Sequence, residues 1–142
     1  MKIYFCIILS FILLRSVTFS QTDEDVSHGW PNDRYWEGLS EDAKIQHLYG
    51  IEGGLSLFAE EFKRKEKTEV ERNQIEKLRN EIMVRGFRFS DVAQQVDKSF
   101  EDHSNIRIPV DYAYLYSVMK MSGKSPDELE RYLSLLRKRW NK

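Results

Sequence analysis

Residues 110–123, VDYAYLYSVMKMSG, admit two readings that lead to different folds. Tyr112, Tyr114 and Tyr116 alternate as the residues on one face of a strand do. The same run is about thirteen residues long and lies between a start and a stop signal for a helix. Pro109 suits the first position of a helix, and Gly123 the residue beyond its end. The length and the paired signals decide for a helix. Because it is apolar nearly all round, it is expected to be the central one, packed on more than one side. The fold class that follows is all-α: a compact bundle of four to five helices.

The neighbouring segments carry matching punctuation. Ser125, Pro126, Asp127 and Glu128 supply an N-cap, a first-position proline and a capping-box glutamate. Leu129, Tyr132, Leu133, Leu136 and Trp140 then form one apolar stripe. Upstream, Ser90 reads as the N-cap of a helix burying Val92, Ala93, Val96 and Phe100. Thr68 and Glu71 make a capping box before a helix over about 69–84, with Ile75, Leu78 and Ile82 inward and Gly86 at its end. Glu61 with Lys65, and Glu81 with Arg85, have the spacing of exposed helical ion pairs. Ser40, Glu41 and Asp42 start a further helix carrying Ile45, Leu48, Tyr49, Leu55, Phe58, Ala59 and Phe62.

That last helix contains Gly50, Gly53 and Gly54, each costing about 1 kcal/mol relative to alanine. Ala43, His47, Gly50, Gly54 and Leu57 share one stripe, so Gly50 and Gly54 form a flat notch flanked by His47. Three uses are open: a close crossing by the tyrosine-rich helix, a ligand or partner side chain entering the notch, or a break in the helix. The close crossing is the favoured expectation.

The N-terminus, MKIYFCIILSFILLRSVTFS, has the layout of a secretory signal peptide over residues 1–20. Lys2 precedes an apolar run, and Thr18 and Ser20 are small residues before a cut at Gln21. The apolar run stops at Arg15, well short of the roughly twenty residues that span a bilayer. Residues 21–34 read as a polar arm anchored at Trp30, and 35–142 as a single helical domain. Cys6, the one cysteine, leaves with the signal, so disulfides, thiol catalysis and cysteine metal sites are excluded from the mature chain. Without Lys2 and Arg15 the 22 basic residues become 20 against 23 acidic, a net charge of about −3. That balance offers no footprint for nucleic acid.

Chemistry-bearing motifs are sparse. His28, His47 and His103 lie far apart, with no paired metal-ligand spacing, and no nucleophile elbow, P-loop or dinucleotide fingerprint is present. No catalytic residue, metal or cofactor is expected. The loop SFEDHSNIRIP, through Asp102 and Asn105, reads either as turn chemistry or as a recognition loop. The candidate binding residues are therefore His47, Gly50, Gly54, Asp102 and Asn105. Arg137, Lys138 and Arg139 around Trp140 read either as cations at a helix C-terminus or as contacts to an anionic membrane or cell-wall surface.

Two stretches, YWEGLSEDAKIQHLYGIEGG and VDKSFEDHSNIRIPVDYAYLYSVMKMSGKSPDELERYL, resemble a family of small exported all-helical bacterial proteins of unknown function. The matching positions are Tyr35, Trp36, Leu39, Ser40, Lys44, Tyr49, Gly50, Gly54, Phe100, Asp102, Asn105, Ile108, Pro109 and Gly123. The resemblance implies a helical exported domain and no established activity. A weaker likeness is to periplasmic immunity proteins that neutralise peptidoglycan amidases, though those typically carry cysteines. The expected function is a non-catalytic binding or interaction protein of the bacterial cell envelope, periplasmic or secreted, whose partner is a protein or an envelope component. An immunity or inhibitor protein against a secreted enzyme is the first alternative, and a cell-wall hydrolase using His47 the second. N-terminal sequencing of the protein from its host is expected to begin at Gln21; an intact Met1 in the membrane fraction would contradict export.

Overall fold

The structure, a computed structural model, describes residues 26–27, 30–65, 68–84 and 86–142. The signal segment, His28 and Arg85, with its proposed pairing to Glu81, lie outside the described residues. The described part is all-α apart from one short pairing of β1 (Val26–Ser27) with β2 (Trp30–Pro31). Six helices follow: α1 (Asp33–Glu37), α2 (Glu41–Lys65), α3 (Glu69–Ile82), α4 (Phe89–Phe100), α5 (Val110–Met121) and α6 (Pro126–Trp140). A 3₁₀ turn over His103–Asn105 joins α4 to α5. No described helix is long and apolar enough to cross a membrane.

The tyrosine run is helical, and its alternation divides it between two cores. Tyr114 is fully buried against Leu48, Val92, Val96 and Phe100, while Tyr112 and Tyr116 pack with Ile108, Leu133, Leu136 and Trp140. Residues two apart on a helix lie about 200° apart around its axis. A pattern that mimics a strand thus serves a helix clamped between α4 on one side and α6 on the other. Buried Ser117 bonds back to the Ala113 carbonyl at 2.8 Å, which satisfies its hydroxyl.

Local end signals act much as their chemistry dictates. Thr68 with Glu71, and Ser125 with Glu128, close full capping boxes. Gly123 ends α5 at φ +80°, the left-handed backbone that glycine alone adopts without strain. Two starts shift by a residue: α4 begins at Phe89 after Arg88, so Ser90 is not its cap, and Pro109 precedes α5 rather than opening it. Residues 26–27 and 30–34, within the stretch read as a polar arm, hold the strand pairing and the start of α1. Trp30 is half exposed there, and Trp36 is the buried anchor.

The glycines overturn the favoured expectation. α2 runs unbroken through Gly50, Gly53 and Gly54, and a methyl group added at any of the three would meet nothing within 4 Å. No helix crosses there. The reason is that α2 outruns the core: Leu48 is its only buried residue, and Tyr49, Leu57, Phe58 and Phe62 are exposed. The far half of α2 pairs with α3, which has no buried residue; Leu78, expected inward, is exposed. Lys63–Glu76 at 3.2 Å and Arg79–Glu60 at 3.1 Å line the seam of this hairpin. With nothing opposing the methyl, Gly50→Ala and Gly54→Ala are each expected to stabilise the fold by up to about 1 kcal/mol. Urea midpoints above wild type would show this; lower midpoints would mean that something presses on the face.

Candidate functional site

Asn32 starts α1 by accepting hydrogen bonds on its side-chain oxygen from the Arg34 and Tyr35 amides, at 3.1 and 3.5 Å. The single turn that follows directs Asp33, Trp36 and Glu37 to one side, since residues three and four apart are neighbours on a helix. Trp36 is buried, and its indole Nε1 donates to Asp97 Oδ1 at 2.6 Å. Lys44 Nζ donates to the same oxygen at 2.7 Å and lies 5.3 Å from the Trp36 ring centre. Two consecutive helices thereby meet a third, more than fifty residues further along the chain, at one carboxylate.

Beside this junction is an open cleft of about 550 Å³ lined by Asp33, Trp36, Glu37, Lys44, Asp97, Phe100, Glu101 and His103. Four of the eight residues are carboxylates, and the lysine among them is engaged by Asp97. Among the described residues Glu37 and Glu101 have no hydrogen-bond or ion-pair partner. Asp33 is 7 % exposed, and its Oδ1 is buried with no hydrogen-bond partner. Burial pushes its carboxyl up from 3.8 to about 6, and Glu37 adds to the rise; His103, Arg34 and Lys44 oppose it. Among the described residues no three His, Cys, Asp or Glu side chains group as metal ligands.

The residues singled out from the sequence do not form one site. His47 is half buried, its ring 5.4 Å from that of Tyr35 and 6.1 Å from that of Trp36. Its Nε2 is buried without a partner, and burial lowers its pKa against an opposing pull from Asp111. It does not line the cleft. Gly50 and Gly54 are on the open face of α2. Asp102 and Asn105 are committed to turn and helix packing. Asp102 accepts from the Ser104 amide at 2.9 Å and from Arg137 at 2.7 Å. Asn105 donates to the Ser99 carbonyl at 2.6 Å and accepts from Arg137 Nε at 2.9 Å, and its burial keeps the side chain out of reach of a ligand. Among the described residues no hydrogen bond or ion pair joins the glycine face to the 102–108 loop. Arg137 is likewise occupied and Trp140 is buried, with Arg139 packed over its ring at 5.1 Å; Lys138 and Arg139 remain at the surface.

The residues of the cleft were missed except for Trp36, Lys44 and Phe100, which belong to the family-like pattern. One local signal was available: Asn32 before Asp33 is an N-cap pattern, which would have placed Asp33 and Glu37 on a helix with Trp36. No family model, curated protein or solved structure matches the chain.

The raised carboxyl makes stability depend on pH with a definite sign. Between about pH 4 and 6 the folded chain holds a proton on Asp33 that the unfolded chain has released. Stability therefore falls as pH rises through that window, by at most about 3 kcal/mol in all. Asp33→Asn is expected to remove this slope and to be the more stable form at pH 8. Equal pH profiles for mutant and wild type by urea unfolding would contradict it.

Proposed function

We propose that the chain is a non-catalytic binding protein exported to the bacterial cell envelope, and that the acidic cleft beside α1 receives its ligand. The observation that supports this is Asp33, a nearly buried carboxyl with an unpartnered oxygen in the wall of an open cleft. Burying a carboxylate without a partner is costly, and removing or pairing it would stabilise the fold. Such uncompensated groups cluster where a protein meets a ligand. In this reading the ligand surface is the cleft, which takes His103 from the 102–108 loop and neither Gly50 nor Gly54.

Binding is favoured over catalysis by access. A general acid must come within about 3 Å of the atom it protonates. Asp33 Oδ1 lies beneath the surface, and Asp97 is held by Trp36 and Lys44. His47, the residue on which a hydrolase was built from the sequence, is wedged between aromatic rings outside the cleft. A hydrolase remains the second reading because an acid with a pKa of about 6 suits proton transfer near neutral pH.

Soluble peptidoglycan fragments, added to ¹⁵N-labelled mature protein, separate the two. The expected result is a shift of the Trp36 indole N–H signal with every fragment mass unchanged. Fragment cleavage that vanishes in Asp33→Asn would replace the binding reading with the hydrolase.

A further inference from the structure

We propose that the cleft recognises an ammonium or guanidinium group, contacted by Glu37 and Glu101 and attracted at longer range by the buried charge of Asp33. The inference deepens the reading of the cleft as a ligand site and rests on it. Three observations define the chemistry. The cleft is acidic, and its lysine is consumed by Asp97 at 2.7 Å. Glu37 and Glu101 reach the cleft unpaired among the described residues. Asp33, independently of that cluster, is 7 % exposed with an oxygen that no donor reaches.

These features select among ligand classes. Ionised carboxylates only accept hydrogen bonds, whereas ammonium and guanidinium groups only donate them, through three and five N–H bonds. An anionic ligand would meet three uncompensated carboxylates, and a neutral one would leave their charge unanswered. A shared metal ion is disfavoured by geometry, since no three candidate ligands group together among the described residues. An organic cation needs no such convergence, because its donors point in several directions. The same chemistry can come from a free amine or from a lysine or arginine side chain of a larger partner.

The charges around Asp33 fix the pH dependence. Arg34 and Glu37 lie on its own helix, Lys44 on α2, Asp97 and Glu101 at the end of α4, and His103 on the 3₁₀ turn. A cation favours the ionised form of Asp33, so binding and ionisation support each other. Affinity is expected to rise about tenfold from pH 5 to pH 7 as Asp33 loses its proton.

The test follows the Trp36 indole N–H signal of the mature protein. The probes are cadaverine, N-acetyl-lysine methylamide, N-acetyl-arginine methylamide, and the neutral norleucine and acidic glutamate analogues. The proposal expects saturable shifts with the cationic probes alone. A tighter fit of cadaverine assigns the cation to a small amine, and a tighter fit of the capped amino acids assigns it to a chain-borne side chain. Asp33→Asn should weaken binding at pH 7 about tenfold and flatten its pH dependence. Glu37→Gln, at an exposed position, should weaken it severalfold with no change in fold. Equal shifts with the neutral or acidic analogue would overturn the cationic assignment and keep the cleft as a site. No response to any probe, nor to peptidoglycan fragments, would overturn the cleft reading along with it.

Discussion

The carboxylate of Asp97 is the contact on which the site depends. It accepts from the Trp36 indole and from Lys44, joining α1, α2 and α4 at a single oxygen. A five-residue helix has no stability of its own, because nucleation costs more than one turn of hydrogen bonds returns. α1 persists because Trp36 is buried and its one polar atom is satisfied by a charged acceptor, the stronger kind of hydrogen bond. The same contact occupies Lys44, the lysine that lines the cleft. Asp33, Glu37 and Glu101 are left with negative charge that the cleft does not balance. Anchoring α1 and making the cleft acidic are thus two results of one interaction.

The rest of the fold presents that junction on a rigid base. α5 is buried on opposite sides, through Tyr114 toward α4 and through Tyr112 and Tyr116 toward α6. The 3₁₀ turn that carries His103 into the cleft is fixed from behind, where Asn105 and Asp102 are both held by Arg137 of α6. Asp102 and Asn105 thereby hold the turn from which His103 lines the cleft. The α2–α3 hairpin is built differently. Ion pairs and half-buried side chains hold it together, and it projects from the core with Leu57, Phe58 and Leu78 exposed.

The fold was legible in the sequence wherever its determinants are local. The two capping boxes, the glycine stop at Gly123 and the central place of the tyrosine helix depend on residues within a few positions of each other. The glycine face was misread because a helix pattern does not reveal where a core ends. α2 has 25 residues, about 37 Å of helix, and its apolar side chains pack on the core only as far as Leu55. The cleft was largely illegible for a related reason. Asp33 and Glu37 meet Asp97 and Glu101 through tertiary packing, and a chain rich in scattered carboxylates gives no sign of which four will converge.

The central claim is that the cleft wall contains a carboxyl the fold leaves uncompensated. The direct measurement is an NMR pH titration of the Asp33 side-chain carboxyl carbon in the folded protein without ligand. The account expects a midpoint of about 6. A midpoint near the ordinary aspartate value of about 4 would show that Asp33 is solvated or paired, and would remove the basis for a ligand site at this cleft.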